Sequence, residues 1–310
     1  MDSSAYFFQQ LANGISLGVI YALIALGYTM VYGVLRFINF AHGEVFMVGA
    51  FVAFYCSRWL ATGLDGAHYL LKGTVILVAC MAVCALLGVL IEFFAYRPLR
   101  SRPRLVVLIT AIGVSLLLQY TAQLMFGATP RPFPELIPHE NWVNFGGVLI
   151  TNKQVIVLAI TVILLVGLRF FVLHTRVGLA MRALSLNPTA AALMGVNNNA
   201  IIALTFAIGS ALAAAAGVFF GILYPKIDPF MGVLPGIKAF VAAVLGGIGN
   251  IPGAALGGVL IGIVETLVVG YSSAMGFSAG YRDAVAFVIL ILILLFRPSG
   301  LLGKVEREKV

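Results

Sequence analysis

Few residues in this sequence could do chemistry, and most of those lie inside apolar runs. Glu265 and Lys238 are ionisable residues in such runs, where a lone charge costs about 2.5–3.5 kcal/mol even on insertion scales, so they are candidates for a mutual ion pair with a part in gating. Glu265 is about 12 residues into its stretch, ~18 Å deep at ~1.5 Å per residue, and the Lys238 stem can snorkel towards that depth from its start near the outer face. Asn39, His42 and Glu44 open another apolar stretch. Asn39 and His42, three apart, are expected to share a helix face that borders a translocation path or its gate. His42 and Glu44, two apart, point to different faces, which makes a metal site or proton relay a poor fit. Cys80 and Cys84 are one helical turn apart, a spacing that can hold a soft metal. With Cys56 they are read instead as small apolar packing residues. No G-x-x-x-x-G-K-[ST] loop occurs, and the nearest approach, Gly300 to Lys304, lacks the loop length and the hydroxyl. Any ATP must therefore be bound by another chain. No nucleophile and base stand at useful spacing, so the chain is expected not to be an enzyme, with no cofactor or metal of its own.

The elements that must position these residues follow from composition. Of 310 residues, 62% are hydrophobic and 10% charged, against about 45–50% and about 25% in soluble domains. The expected fold is an all-α membrane protein, a polytopic helical bundle of about 8–9 transmembrane or re-entrant segments forming a single domain over residues 1–310. Apolar stretches run over residues 11–35, 37–61, 70–95, 105–127, 155–173, 200–223, 236–248, 253–271 and 283–296. The seventh is short and bounded by glycine, as a half-helix or re-entrant segment would be. The net charge of +8 is dispersed in short loops rather than along one soluble face, so it reads as a topology signal and not as a nucleic-acid surface. Arg97, Arg100, Arg102 and Arg104, Arg176 and Arg182, and Lys304, Arg307 and Lys309 are expected on the cytoplasmic side. The Pro-rich segment 128–152 and the N-terminus are expected outside. The first ten residues hold no Lys or Arg, so the charged region of a cleavable signal is missing and the first span is expected to be retained. Gly249, Gly253 and Gly257 repeat at four-residue intervals, as do Gly258 and Gly262, a pattern that lets helices approach closely and predicts that the eighth span is buried among others.

The loop over residues 175–199 is moderately apolar yet too polar to span. Asn187 suits an N-cap, Pro188 the first helical position and Gly195 the C′ position, which together predict a short helix from Pro188 to Met194. Its Ala190, Ala191, Ala192, Leu193 and Met194 are small or apolar. With Ala191, Leu193 and Met194 exposed, the helix would be covered by a partner or lie against the membrane interface.

This loop resembles the coupling loop of ABC importer permeases, in which an Ala-Ala pair, here Ala191 and Ala192, precedes a glycine, here Gly195. Three further runs, Y-A-L-I-A-L-G-Y-T-M-V-Y-G from Tyr21, I-N-F-A-H-G-E from Ile38 and K-A-F-V-A-A-V-L-G-G-I-G from Lys238, resemble the branched-chain amino-acid permease family, and its LivH-type subunits most. The likeness covers almost the whole chain, departing in loop 128–152 and the tail. It implies an inner-membrane importer subunit working with a second related permease, two ABC ATPase subunits that bind the ATP, and a soluble binding protein on the outer face that delivers leucine, isoleucine or valine. A largely apolar passage with few fixed charges is compatible with an aliphatic zwitterion. Two alternatives remain: a related permease for urea, short amides or other neutral amino acids, and a secondary transporter coupled to protons through His42, Glu44 or Glu265.

Overall fold

A computed structural model describes residues 3–60, 68–100, 102–272, 276, 278–297 and 299–303. The basic cluster Lys304, Arg307 and Lys309 lies outside the described residues. Eleven α-helices form among the described residues: α1 (Ser3–Leu35), α2 (His42–Leu60), α3 (Tyr69–Ile91), α4 (Arg104–Phe126), α5 (Asn152–His174), α6 (Arg176–Leu186), α7 (Pro188–Leu193), α8 (Asn198–Leu223), α9 (Val233–Gly246), α10 (Ile251–Tyr271) and α11 (Arg282–Phe296). Each of the nine apolar stretches becomes one helix, and six helical segments are long and apolar enough to cross a membrane unaided, those of α1, α3, α4, α5, α8 and α10.

Helix α1 is the axis of the bundle. It is apolar all round, and residues 16–31 are buried without a break, the pattern of a helix enclosed on every side rather than one facing lipid. Enclosure without a hydrophobic drive between helices depends on close approach, which small residues permit. A Cβ added at Gly14 would lie 2.7 Å from the Ile263 Cα, and one at Gly18 would lie 2.6 Å from the Val259 Cα. From the other side, one at Gly258 would meet the Ala22 backbone and one at Gly262 the Gly18 backbone. The second glycine row of α10 is also used: Gly253 and Gly257 abut Gly246 and Ala242 of α9. The eighth span is thus packed on both glycine faces, as the spacing predicts. Gly249 belongs to neither face, and with φ of 92° it makes the turn between α9 and α10. On the opposite side of α1, the Ala-rich middle of α8 crosses α2, with Gly49 against Ala214 and Gly217 against the Phe46 carbonyl.

The bundle has two distinct ends. At one, Gln9 exchanges hydrogen bonds with the Leu149 backbone, and Tyr6 donates to the Gly270 carbonyl at 2.7 Å. This end also carries a β-hairpin of β1 and β2 as they are named here, Asn141–Phe145 and Val148–Thr151, turned by Gly146 and Gly147 at φ of 58° and 87°. Such a two-glycine turn matches the strand twist and is a hairpin signal within a segment expected only to be Pro-rich. At the other end, Arg36 reaches the Ser185 carbonyl, Arg100 the Asn199 side chain, and Asn250 the Leu302 carbonyl. We call these the hairpin end and the arginine-rich end.

The seventh stretch connects the two ends. Lys226 and Ile227 pair with Arg131 and Pro132 at the hairpin end, the chain then runs non-helically over 228–232, and α9 ends in a turn where Gly247 packs on Gly303 at the arginine-rich end. Its 14 residues make a helix of about 21 Å, shorter than a hydrocarbon core of about 30 Å. The non-helical lead-in supplies the remaining length, so the segment traverses the bundle instead of turning back.

The α1–α10 contact generates a test. Gly258→Ala should cost about 1–3 kcal/mol by overpacking against Ala22 backbone and lower the melting temperature of the purified protein. Gly113→Ala in α4, where an added Cβ meets nothing within 4 Å, should leave the melting temperature unchanged or raise it.

Candidate functional site

The start of α9 brings Lys238 to the deep carboxylate of α10. Lys238 Nζ lies 2.7 Å from Glu265 Oε1 and 2.6 Å from Asp283 Oδ1, and Tyr21 of α1 donates its hydroxyl to Glu265 Oε2 at 3.0 Å. Arg282 Nε stands 3.6 Å from Glu265 Oε1 and 3.5 Å from Asp283 Oδ1. Two acids and two bases from α9, α10 and α11 thus form a neutral cluster, with Lys238 and Glu265 fully buried. The sequence pairs Lys238 with Glu265 by depth alone. It does not single out Tyr21, Arg282 or Asp283, although an acid and a base opening the last apolar stretch carry the signal. The cluster borders a cavity of about 560 Å3 at the hairpin end, lined by Glu265 and Arg282 with Asn13, Gln154, Lys153 and Tyr224. Outside the spans, Tyr224 at the rim has its phenol pKa raised, first by burial and then by the Glu265 charge.

Asn39, His42 and Glu44 are all buried, but they face different neighbours. Helix α2 begins only at His42, so Asn39 lies outside it and the shared helix face does not form. The Asn39 Oδ1 accepts from the Ala41 N–H at 3.1 Å and from the Tyr96 hydroxyl at 2.6 Å, closing an Asx turn that starts α2. Tyr96 is aimed there by a π-helical turn, Glu92–Tyr96, that ends α3, where Glu92 is ion-paired with Arg100. The His42 ring packs edge-on against Tyr28, centroids 4.8 Å apart, and fills the space that Gly27 leaves by having no Cβ. Glu44 Oε1 accepts from the Ser115 hydroxyl of α4 at 3.2 Å, and adjacent Gly43 abuts Gly232 and Gly236, so the N-termini of α2 and α9 meet inside the bundle. Asn39, His42 and Glu44 are not among the residues lining the cavity at the hairpin end. Cys80 and Cys84 are buried, with Cys84 Sγ 3.9 Å from the Val45 carbonyl. No cluster of three His, Cys, Asp or Glu side chains that could hold a metal occurs among the described residues.

The 175–199 segment is a helical hairpin. Helix α7 forms over Pro188–Leu193 with Asn187 Oδ1 accepting from the Ala190 N–H at 3.0 Å, and Met194 is its C-cap. Gly195 takes φ of 86°, and bonds from Gly195 N to the Ala192 carbonyl and from Val196 N to the Ala191 carbonyl, both 3.0 Å, complete the left-handed C-terminal motif. One expectation is corrected. Ala191 is 4% exposed, because the turn between α6 and α7 folds it inward, whereas Leu193 and Met194 are 83% and 86% exposed. Helix α6, missed in the sequence because the segment reads as loop, is capped by Thr175 Oγ1 accepting from Gly178 N at 3.0 Å, and it buries Gly178, Met181 and Leu184 at three-residue spacing.

Long apolar helices, interrupted segments that meet at buried charge, and a capped helical hairpin projecting from one end define a polytopic permease of the membrane. Residues 10–294 match the family described as the branched-chain amino acid transport system permease component, and the chain belongs to that family. It is similar to the high-affinity branched-chain amino acid transport system permease protein BraD of Pseudomonas aeruginosa, 46% identical over 100% of both chains. To the corresponding LivH protein of Escherichia coli it is 44% identical over 98% of both. A probable branched-chain amino acid transport permease protein LivM of Methanocaldococcus jannaschii is 32% identical over 42% of this chain and 40% of its own. Members are permease components of transport systems and not enzymes, so this chain is a membrane-embedded subunit of a larger system.

The geometry of the charged cluster predicts an asymmetry. Lys238→Met leaves Glu265 and Asp283 facing each other with only the half-exposed Arg282 between them, a loss of about 3–5 kcal/mol. Glu265→Gln leaves Lys238 its bond to Asp283 and should cost less. Melting of the purified variants should rank them in that order, and Lys238→Met with Glu265→Leu should recover part of the Lys238→Met loss.

Proposed function

We propose that this chain is the LivH-type permease subunit of an ABC importer that moves leucine, isoleucine and valine across the cell inner membrane. The identity of 46% and 44% to BraD and LivH over essentially the whole chain carries the substrate assignment. ATP is bound by two separate ATPase subunits, the second half of the pore is a related permease, and a soluble binding protein delivers the amino acid at the outer face. The partial likeness to LivM supports a paired, related permease.

Charge distribution supports an orientation with the arginine-rich end in the cytoplasm: Arg36, Arg97, Arg100, Arg102, Arg176 and Arg182 belong to the loops and helix termini of that end. The N-terminus and the β-hairpin then face outward. A reporter active only outside should give signal when fused within loop 128–152 and none when fused after Val310.

In this orientation the α6–α7 hairpin projects towards the ATPase subunits. Leu193 and Met194, with Leu186 at 79% exposure, present apolar side chains on a capped helix. Burying a few hundred Å2 of that surface contributes several kcal/mol at about 25 cal/mol per Å2 before association costs. Leu193→Glu and Met194→Glu should leave the permease inserted and folded while abolishing co-purification of the ATPases and ATP-driven leucine uptake in proteoliposomes. Ala191→Glu should instead lower the stability of the hairpin itself, because Ala191 points inward. Uptake by the permease with no ATPase present would favour a secondary transporter, and preferential uptake of urea over leucine would favour the related permeases of small amides.

A further inference from the structure

The cavity at the hairpin end runs from the rim of the bundle down to the charged cluster. Its volume is about 560 Å3, within the range of about 300–1,000 Å3 that small-molecule sites occupy. Glu265 stands six residues before Tyr271, the end of α10, so the charged wall is about 9 Å below that end at about 1.5 Å per residue. Beneath it, Gly18 and Gly262 bring the α1 and α10 backbones into contact and close the bundle.

Two kinds of polar group meet at this wall. Arg282 makes its closest approaches to Glu265 and Asp283 through Nε, at 3.6 and 3.5 Å, longer than the roughly 2.7–2.9 Å of a charge-assisted bond. The edge carrying Nη1 and Nη2 is thus left for a further carboxylate, which a guanidinium binds in a fork of two parallel bonds. Ser16 and Thr266 have the opposite character. Each donates its hydroxyl hydrogen to a carbonyl one turn back in its own helix, Ala12 at 2.9 Å and Gly262 at 2.8 Å. Each oxygen therefore offers the cavity only acceptor lone pairs, beside the Glu265 carboxylate, and acceptors of that kind suit an ammonium. Leu17, Ile222, Leu223 and Val269 make another part of the lining apolar.

A carboxylate subsite, an ammonium subsite and an apolar wall in one cavity describe an α-amino acid with an aliphatic side chain. Such a zwitterion adds no net charge to a neutral cluster at membrane depth. We infer that this cavity is the permease's own outer site for the transported amino acid, with Arg282 holding its carboxylate and Glu265, Ser16 and Thr266 its ammonium. The inference rests on the substrate proposed above and adds to it a place and a set of contacts.

The test is saturation-transfer difference NMR of the full-length chain in nanodiscs with millimolar L-leucine, run beside ATP-driven leucine uptake by the assembled importer in proteoliposomes. Saturation transfer to leucine is expected, with apparent affinity weakened about tenfold by Arg282→Gln, the loss of one charge-assisted contact set. Leucinamide, which lacks the carboxylate, and 4-methylpentanoate, which lacks the ammonium, should each compete about tenfold less well than leucine. Lys226→Gln, which removes a charge at the same end but outside the lining, should leave binding unchanged. Leucine uptake by the assembled importer with no leucine binding to the permease would overturn this inference and leave the proposed function standing. Uptake of urea in place of leucine would overturn both. Equal competition by 4-methylpentanoate, or unaltered binding in Arg282→Gln, would also remove the site. Should Arg282→Gln melt below the parental chain, Val269→Trp decides the matter, since an indole on the apolar wall must block leucine if the cavity is its site.

Discussion

Close approach of α1 and α10 is the contact on which the rest of the bundle depends. Between helices in lipid there is no water to expel, so cohesion comes from dispersion and from groups that hydrogen-bond across the gap, and both fall away steeply with distance. Gly14 and Gly18 interleaved with Gly258 and Gly262 bring the two backbones together where any Cβ would clash. That contact fixes the depth of Glu265 against Tyr21, whose hydroxyl it meets at 3.0 Å. It also leaves the other glycine row of α10 free to hold α9, and α9 carries Lys238. A packing device made of residues without side chains thereby sets the positions of the side chains with the most charge.

The cluster around Lys238 shows what such charges do in a low-dielectric interior. Glu265 and Lys238 are both nearly inaccessible, and Lys238 is the buried cation that offsets both Glu265 and Asp283. Asp283 and Arg282 bring α11 into the same network, so a helix of only 15 residues is held by ion pairs as well as by its apolar contacts with α9 and α10. The cluster locks the two shortened helices, α9 and α11, to the full-length α10, beside a cavity open to the hairpin end. Interrupted helices are tolerated at membrane depth where protein or a water-filled cavity satisfies the backbone, and the α2 and α9 starts, packed through Gly43, Gly232 and Gly236, meet that condition by burial in protein.

What could be read beforehand follows the strength of the physical signal. Nine apolar runs were legible because a span must be long and continuous, and the glycine rows because their spacing repeats a helical face. The caps of α7 were legible because Asn187, Pro188 and Gly195 each satisfy a local backbone requirement. Side-chain direction was not. Ala191 was expected on the surface and is turned inward, since its direction is decided by how α6 and α7 fold on each other, a tertiary contact. The spacing of Asn39 and His42 suggests one helix face, but α2 begins only at His42, because the Asx turn that Asn39 forms depends on Tyr96 arriving from a π-helical end of α3. Asp283 and Arg282 do not stand out in the sequence for a related reason. At the boundary of an apolar run a charge is usually solvated, and only the position of α9 puts Lys238 within 2.6 Å of it.

The same distinction between local and tertiary signals governs how the α6–α7 hairpin can act on the bundle. Thr175 closes α5 and opens α6 with one side chain, its hydroxyl donating to the Phe171 carbonyl at 2.6 Å and accepting from Gly178 N at 3.0 Å. Gly178 in turn abuts the Phe171 and Val172 carbonyls, with no room for a Cβ, so α6 is joined to α5 without slack. Asn187 is at once the C-cap of α6 and the N-cap of α7. Force applied at Leu193 or Met194 therefore meets no flexible joint before it reaches α5, and the Arg36 bond to the Ser185 carbonyl adds a branch to the end of α1. These joints are made by hydrogen bonds within the chain, at Thr175 and at Asn187.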